Sequence, residues 1–318
     1  MKRNALHSAG IFFALFTFIL FASCSSGKPA HAIFNSKKGE QRYLAAYNNT
    51  LKKWPVPFEE RDIQAKYGTA HVIISGPKDG QPLVLMHGMD ASSTMWYPNI
   101  KSYTGQYRVY AIDYLLEPGK SVLKDKRPNT DEIVEWYAEV MDKLGLGDIY
   151  LLGTSRGGWT ATNFATHKPE RVKKLALLSP VQVFGLMEMN TKMRKAVSFK
   201  FFPNRRRMRK AVDAMSHRPE RVDEVFKEQL YLATEYSKTT FDMLEMAPFK
   251  DDVKLLTMPT LVLVGDHDVL CSPDILKEAT EKVPNITAGT VEEAGHFLTI
   301  DQQEEVDKRV MEFFAGNK

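Results

Sequence analysis

The feature that most limits the fold of this chain is a series of short, unbroken apolar runs separated by segments with helical spacing. Such runs lack the polar alternation of a half-exposed strand, so they suit strands that helices cover on both faces of a parallel sheet. Strands that alternate with helices predict an α/β fold with a mostly parallel central sheet flanked by helices. The apolar runs are residues 69–75, 82–86, 108–112, 149–153, 175–178 and 260–265.

Two of the intervening helices have recognisable ends. Thr130 can cap a helix over residues 131–144, which has acidic residues in its first turn and Gly145 just beyond its end. A second helix is predicted from Gly158 to His167, where Pro169 stops it.

Residues 181–250 interrupt this alternation, because they carry helical rather than strand patterning and are rich in Met and Phe. A helical block inserted into an α/β sheet is typical of a cap. Its Met and Phe side chains fit two interpretations, a cap core or a deformable apolar wall for an acyl or aromatic group. The predicted organisation is a core over residues 61–180, a helical cap over 181–250 and the rest of the core over 251–318, preceded by a tether and leading helix over 24–60.

The first residues have the composition of a targeting signal. Lys2 and Arg3 precede an apolar run over residues 11–22, and small residues surround Cys24. This order is typical of a secretory signal, here residues 1–23. The residues before Cys24 also resemble a bacterial lipobox, in which the cysteine is lipid-modified. We therefore expect an extracytoplasmic lipoprotein anchored to the bacterial membrane through Cys24. A cleaved signal with a secreted product, or an uncleaved anchor, is the alternative.

The charge balance gives no reason to expect a nucleic-acid partner, because the formal net charge is only +4 and Lys2 and Arg3 supply part of it. The most basic stretch is residues 204–210. It fits contact with anionic lipid headgroups or, as the preferred interpretation, a solvated helix face. Apart from Cys24 the chain contains Cys271, so no intramolecular disulfide is expected once Cys24 is acylated or removed.

The strongest motif is Gly153-Thr154-Ser155-Arg156-Gly157, a G-x-S-x-G sequence that follows an apolar strand and precedes a helix. A serine in this setting sits on a tight strand-to-helix turn, where bulky side chains two residues away would clash. With this motif the chain resembles α/β-hydrolases that have a helical cap, over roughly residues 69–315. The resemblance implies that Ser155 is a nucleophile.

Two later segments match the same family in its usual order. The resemblance implies that Asp268, in a G-x-x-D pattern after the run 260–265, is the acid that orients the base, with Asp266 as the rival carboxylate. It also implies that His296, in a Gly-His pair before a final amphipathic helix, is the base.

The segment after the run 82–86 resembles the family's oxyanion loop. The resemblance implies that the backbone N–H groups of Met89 and Arg156 form the oxyanion hole, and that His87 has a structural role. The Arg156 side chain has two open interpretations, contact with a substrate carboxylate or a salt bridge within the fold.

The implied reaction is hydrolysis of a carboxylic ester through an acyl-enzyme, without a metal or organic cofactor. The expected partners are a small-molecule, ester-like substrate and the membrane, through the N-terminal lipid anchor, and the oligomeric state is left open. An amidase or peptidase, a C–C hydrolase, a haloperoxidase-like enzyme and an acyltransferase would use the same three residues. A non-catalytic surface binding protein is the alternative from a different class.

Overall fold

The computed structural model describes residues 33–187, 190–238 and 246–316, and these residues form a central sheet with helices on both faces. The strands are β1 (Phe58–Gln64), β2 (Gly68–Ser75), β3 (Gln81–Met86), β4 (Tyr107–Ile112), β5 (Val122–Leu123), β6 (Ile149–Thr154), β7 (Val172–Leu178), β8 (Thr260–Gly265) and β9 (Ile286–Val291).

The sheet has the strand order β1-β2-β4-β3-β6-β7-β8-β9, and β5 pairs with β2. From β4 to β9 neighbouring strands are parallel, whereas β2 is antiparallel to β1, β4 and β5. The predicted fold class, a mostly parallel central sheet flanked by helices, is therefore confirmed. The carboxyl ends of the parallel strands meet at one edge of the sheet, where side chains from remote parts of the chain can converge.

Helices cover both faces because alternate residues of each buried strand point to opposite sides. In β3, Val84 and Met86 belong to one apolar core, whereas Leu83 and Leu85 belong to the core on the opposite face of the sheet. The helices are α1 (Lys37–Leu51), α2 (Ile100–Tyr103), α3 (Thr130–Lys143), α4 (Arg156–His167), α5 (Met193–Phe201), α6 (Arg205–Met215), α7 (Glu224–Tyr236), α8 (Ile275–Lys282), α9 (Leu298–Asp301) and α10 (Gln303–Ala315).

Helices α5, α6 and α7 lie between β7 and β8 in the chain and are called the cap below. α5 packs on α6, and α6 packs on α7. Phe199, Met208, Phe226 and Leu230 form an apolar core that these helices share. The cap thus has its own packing and contacts the sheet at the edge where the parallel strands end.

The N-terminal helix α1 is packed against the rest of the protein. Tyr43 and Tyr47 are fully buried, and α1 lies on α7 of the cap. The helix begins at Lys37, because the Ser36 side chain accepts a backbone N–H in its first turn. The described part of residues 24–60 contains a leading helix, α1, which packs on the fold, and β1 begins at Phe58, ahead of the core boundary predicted at residue 61.

Two helices begin earlier than the sequence predicts. The N-cap of α3 is Asn129 and not Thr130, because the Asn129 side chain accepts the Glu132 N–H while the Glu132 carboxylate accepts the Asn129 N–H. Helix α4 begins at Arg156, directly after Ser155, instead of after Gly158.

Residues 1–32 lie outside the described residues. They include the predicted signal over residues 1–23, the predicted anchor residue Cys24 and the first part of the predicted tether. Among the residues that are described, no helix combines the length and the apolar character needed to cross a bilayer.

Candidate active site

Ser155 lies at the sharp turn between β6 and α4. Its backbone has φ 53° and ψ −120°, a conformation that a non-glycine residue adopts only under strain. A Cβ at Gly153 would overlap the carbonyl oxygen of Gly157, and a Cβ at Gly157 would overlap the carbonyl oxygen of Met86. Both glycines of the motif are required by this close backbone packing, which presents the Ser155 hydroxyl at the edge of the sheet.

Ser155, His296 and Asp268 are brought together from remote parts of the chain. His296 Nε2 lies 2.8 Å from Ser155 Oγ, and His296 Nδ1 lies 3.0 Å from Asp268 Oδ2. Ser155 follows β6, Asp268 follows β8 and His296 follows β9, so all three stand at the same edge of the sheet. In this arrangement the imidazole can accept the Ser155 proton at Nε2 while Nδ1–H donates to the carboxylate.

The Asp268 carboxylate is buried, with a side chain that is 0% exposed. Its Oδ1 atom accepts the backbone N–H groups of Leu270 and Cys271 at 2.8 and 3.0 Å. Burial alone would raise the pKa of Asp268, but the neighbouring His296 and these hydrogen bonds lower that pKa below its ordinary value. The carboxylate therefore stays ionised and can stabilise a positive imidazolium.

The loop that carries His296 is held from two sides. Asp266 accepts the backbone N–H groups of Glu293 and Ala294 at 3.1 and 3.0 Å, so this second carboxylate shapes the loop. From the cap, the carbonyl oxygen of Met215 at the end of α6 accepts the backbone N–H of His296 at 2.6 Å. The position of the imidazole therefore depends on the end of α6 as well as on the sheet.

The loop after β3 lies against Ser155. A Cβ at Gly88 would stand 3.5 Å from the Cβ of Ser155, and Met89 and Arg156 line the same cavity as the serine. The Arg156 N–H is the first of α4, and such a group has no carbonyl partner in its own helix. Met89 and Arg156 thus lie beside the hydroxyl, and their role in an oxyanion hole stays a prediction.

His87 has a structural place in this loop. It is buried, its Nδ1–H donates to the Gly88 carbonyl at 2.9 Å, and its Nε2 accepts the Tyr114 N–H at 2.8 Å. Burial lowers the pKa of the His87 imidazole, so the ring is neutral when it accepts this bond.

A buried charge pair connects the two sides of the oxyanion region. The guanidinium of Arg156 pairs with Glu117 and lies 4.2 Å from the centroid of the Tyr114 ring. Burial opposes this charge, but Tyr114 and Glu117 raise the pKa of the Arg156 guanidinium above its ordinary value. The other Glu117 oxygen accepts the N–H of Asp90, the residue after Met89, at 3.1 Å. The structure therefore places the Arg156 side chain in a salt bridge within the fold, and Glu117 connects the loop after β3 with the start of α4.

An apolar cavity of about 160 Å³ reaches Ser155 and His296. Met208 and Phe226 belong both to this wall and to the cap core, so the Met-rich stretch lines the cavity as well as packing the cap. Met189 and Met243 of the same sequence stretch lie outside the described residues. The methionines that line the cavity are Met89, Met95, Met187, Met193, Met208, Met215 and Met246.

An ion pair also lines this cavity and joins the cap to the oxyanion loop. Lys200 of α5 lies 2.6 and 2.7 Å from the two carboxylate oxygens of Asp90, with side chains that are 13% and 15% exposed. Sequence reasoning missed both this pair and Glu117. No local motif marks them, because Lys200 and Asp90 are 110 positions apart and Arg156 and Glu117 are 39 apart.

The described part of the chain holds no group of three or more His, Cys, Asp and Glu side chains that could bind a metal ion. Cys271 is buried, and burial raises the pKa of its thiol, so it packs as a neutral side chain.

Comparisons with known proteins agree with this geometry. A family model described as the alpha/beta hydrolase fold matches residues 81–303. The uncharacterized carboxylesterase nap of Bacillus subtilis is 32% identical over 285 residues, which cover 86% of this chain and 92% of the relative. Carboxylesterase YbfK of the same organism is 31% identical over 291 residues, which cover 86% and 94%.

The solved structures include a similar protein. The crystal structure of naproxen esterase (carboxylesterase NP) from Bacillus subtilis has a TM-score of 0.81 and 32% identity, and the alignment covers 88% of this chain and 99% of that one. Because the family model spans most of the chain and the two Bacillus relatives align over almost their whole length, this protein belongs to the α/β-hydrolase family, within which it resembles bacterial carboxylesterases.

Proposed function

We propose that this protein is a serine hydrolase that cleaves carboxylic esters through an acyl-enzyme. The observation that carries the proposal is the unbroken path of hydrogen bonds from Asp268 through His296 to Ser155, which ends in an apolar cavity. The similarity to bacterial carboxylesterases supports an ester over the other bonds that the same three residues can cleave.

In the proposed reaction, Ser155 Oγ attacks the carbonyl carbon of the ester while His296 Nε2 takes its proton. The imidazolium then gives this proton to the departing alcohol, which leaves the acyl group on Ser155. Water enters and attacks the acyl carbon while His296 takes its proton, and the imidazolium then gives this proton to Ser155 Oγ as the bond to the acyl group breaks and the acid leaves. Throughout, the ionised Asp268 holds the tautomer of His296 and stabilises its positive form.

The negative oxygen of the tetrahedral intermediate would be bound by the backbone N–H groups of Met89 and Arg156. A donor of this kind lowers the barrier by about 3 kcal/mol. Glu117 is a positioning residue in this scheme, because it bonds to the N–H that follows Met89 and to the side chain of Arg156.

The cavity favours an uncharged, apolar acyl or aromatic group. Its wall is mainly Met, Val, Phe, Leu and Ile, and the charges of Lys200 and Asp90 balance each other. If the substrate had a free carboxylate near the ester, this carboxylate would lose its hydration in the cavity without meeting an unpaired cationic side chain. The loss costs several kcal/mol.

Labelling with a fluorophosphonate and turnover of a short-chain p-nitrophenyl ester test the nucleophile. Ser155→Ala should abolish both, whereas Ser272→Ala, outside the cavity lining, should leave both unchanged. Undiminished labelling of Ser155→Ala would overturn the assignment. A wild-type chain that binds esters but neither turns over nor labels would support the binding-protein alternative.

We also propose that the protein is an extracytoplasmic lipoprotein anchored through Cys24. The support is the order of basic residues, apolar run and small residues before this cysteine. Metabolic labelling with a fatty acid should be lost in Cys24→Ala and kept in Cys271→Ala. Labelling that persists without Cys24, or processing that is insensitive to globomycin, would contradict the anchor.

A further inference from the structure

The hairpin formed by α5 and α6, residues 193–215 and called the cap hairpin below, has two different faces. Along α6, the side chains at positions 208, 211, 212 and 215 line the cavity. Positions three and four apart share one face of a helix, so Arg206, Arg209 and Lys210 lie together on another face, where all three are exposed. The helix that closes the cavity inside is therefore strongly basic outside.

The basic face carries a net positive charge. The charged residues of the cap hairpin are Lys or Arg with the exception of Asp213, which is exposed on the same face of α6. Arg205 pairs with Glu228. Within the described ranges no hydrogen bond or salt bridge holds the side chains of Arg206, Arg209 and Lys210, although Arg209 is close enough to the Glu224 carboxylate to lower its pKa. These three cations outnumber Asp213 on the face and leave it complementary to a negatively charged surface.

Exposed aromatic side chains stand beside this basic face. Phe201 is 62% exposed and Phe202 is 65% exposed, at the turn between α5 and α6. Arg207 lies over the Phe202 ring, 5.7 Å from its centroid, so charge and aromatic surface are adjacent. Basic residues next to exposed Phe are typical of helices that lie in a lipid–water interface. The sequence alone favoured a solvated helix face, and the position of the two phenylalanines changes that interpretation.

The path of the chain places its N-terminal segment on the same side of the protein. The carbonyl of Ile33 accepts the N–H of Lys238, which lies just beyond α7. On α7, Tyr231 contacts Arg205 of the cap hairpin. From Cys24 to Ile33 there are 33 − 24 = 9 residues, which span at most about 30 Å when extended. An anchor at Cys24 would thus hold the cap close to the membrane.

We propose that the outer face of the cap hairpin binds an anionic lipid bilayer through Arg206, Arg209, Lys210, Phe201 and Phe202. Docked in this way, the cavity lies about one helix diameter, some 10 Å, from the lipid headgroups. As far as the proposed esterase function holds, the site would take esters that partition into the bilayer. The lipid contact itself does not depend on catalysis.

Hydrogen exchange of the full-length protein tests this contact without any substrate. Exchange of residues 193–215 is measured with vesicles of phosphatidylcholine alone and with vesicles that contain about 30% phosphatidylglycerol, an anionic lipid. We expect protection of the cap hairpin with anionic vesicles only, and loss of this protection at high salt.

A triple variant, Arg206→Gln with Arg209→Gln and Lys210→Gln, distinguishes the effect of the basic face on lipid binding from the effect of the net charge. Each lost charge should weaken the contact about fivefold, so the anionic lipid needed for half-maximal protection should rise about a hundredfold. The matched control neutralises Lys78, Lys277 and Lys308, which are exposed elsewhere on the protein. In this variant the anionic lipid needed for half-maximal protection should rise less than about tenfold.

Equal exchange of the cap hairpin in both kinds of vesicle would overturn the proposal. So would an equal shift in the two triple variants, because net charge alone would then explain the binding. Ser155→Ala protein should show the same protection as the wild type. Failure of the lipid contact therefore leaves the proposed hydrolase reaction untouched, and failure of the reaction leaves the lipid contact untouched.

Discussion

Replacing Asp268 by Asn changes one atom of the hydrogen-bond path to Ser155, and the structure indicates how the new amide will orient. Oδ1 of Asp268 accepts two backbone N–H groups, at 2.8 and 3.0 Å. The amide oxygen of the asparagine must take this place, because an NH₂ group there would face two donors. Its NH₂ group then takes the position of Oδ2, 3.0 Å from Nδ1 of His296.

His296 Nδ1 also lies 3.1 Å from the Oδ1 position, but the oxygen there already accepts two backbone N–H groups. The NH₂ donor at the Oδ2 position therefore favours the imidazole tautomer in which Nδ1 accepts and Nε2 carries the proton. Nε2–H of His296 would then donate to Ser155 Oγ and could not take its proton. Loss of the correct tautomer lowers kcat about 10⁴-fold, which corresponds to about 5 kcal/mol of barrier. The Asp268 side chain is fully buried, so water cannot reach this position and accept the Nδ1–H of His296 in place of the carboxylate.

Steady-state turnover of a p-nitrophenyl ester at neutral pH measures this effect. Asp266→Asn is the matched control, since its carboxylate lies two residues away and bonds to the loop before His296. We expect less than a tenfold fall in kcat for the control and a similar melting temperature for both variants. The reasoning is refuted if a folded Asp268→Asn protein keeps more than about a tenth of the wild-type kcat.

Two of the three further predictions concern stability, and one concerns the turn that holds Ser155. Glu117→Gln leaves the buried Arg156 without its counter-charge, so the free energy of unfolding should fall by about 3 kcal/mol; an unchanged urea midpoint would contradict this. Gly157→Ala should abolish fluorophosphonate labelling through a backbone clash, whereas Gly147→Ala, which enters open space, should keep it. Burial raises the pKa of Asp307 to about 6 despite its hydrogen bonds. Between about pH 4 and pH 6 the folded protein therefore holds a proton on Asp307 that the unfolded chain has released, so the contribution of this group to the free energy of unfolding falls as pH rises, by at most about 3 kcal/mol. Asp307→Asn should flatten this slope in urea titrations, and an unaltered slope would argue against it.

The inner strands could be predicted from sequence because burial on both faces imposes an apolar run. β8 is buried at every position, and the residues of β3 that reach the core are buried as well. The edge strands could not be found in this way. β1 is exposed at nearly every position and β9 is only partly buried, so neither needs an apolar run.

Residues of the candidate site could be predicted where a local motif, together with the order of the motifs along the sequence, identifies them. Ser155, Asp268 and His296 are of this kind, and the structure brings them within hydrogen-bond distance. Glu117 and Lys200 are not, since each is positioned by a partner that only the folded chain brings near.

The start of α3 depended on which of two adjacent residues is the N-cap. Asn129 and Thr130 are both good N-cap residues, and only the backbone decides between them. Asn129 is extended, with ψ −179°, and therefore ends the loop, which makes Thr130 the first residue of α3. A sequence pattern carries no information on that dihedral angle.

The short hydrogen bond between the His296 N–H and the Met215 carbonyl limits how a substrate can enter. If α6 moved outward as a rigid body, it would pull the imidazole away from the serine and switch off the reaction while the site was open. A substrate can therefore enter without disrupting the site only if the end of α6 stays in place. Rotamer changes of the flexible methionine side chains, or displacement of α5 after the Lys200–Asp90 pair separates, meet that condition.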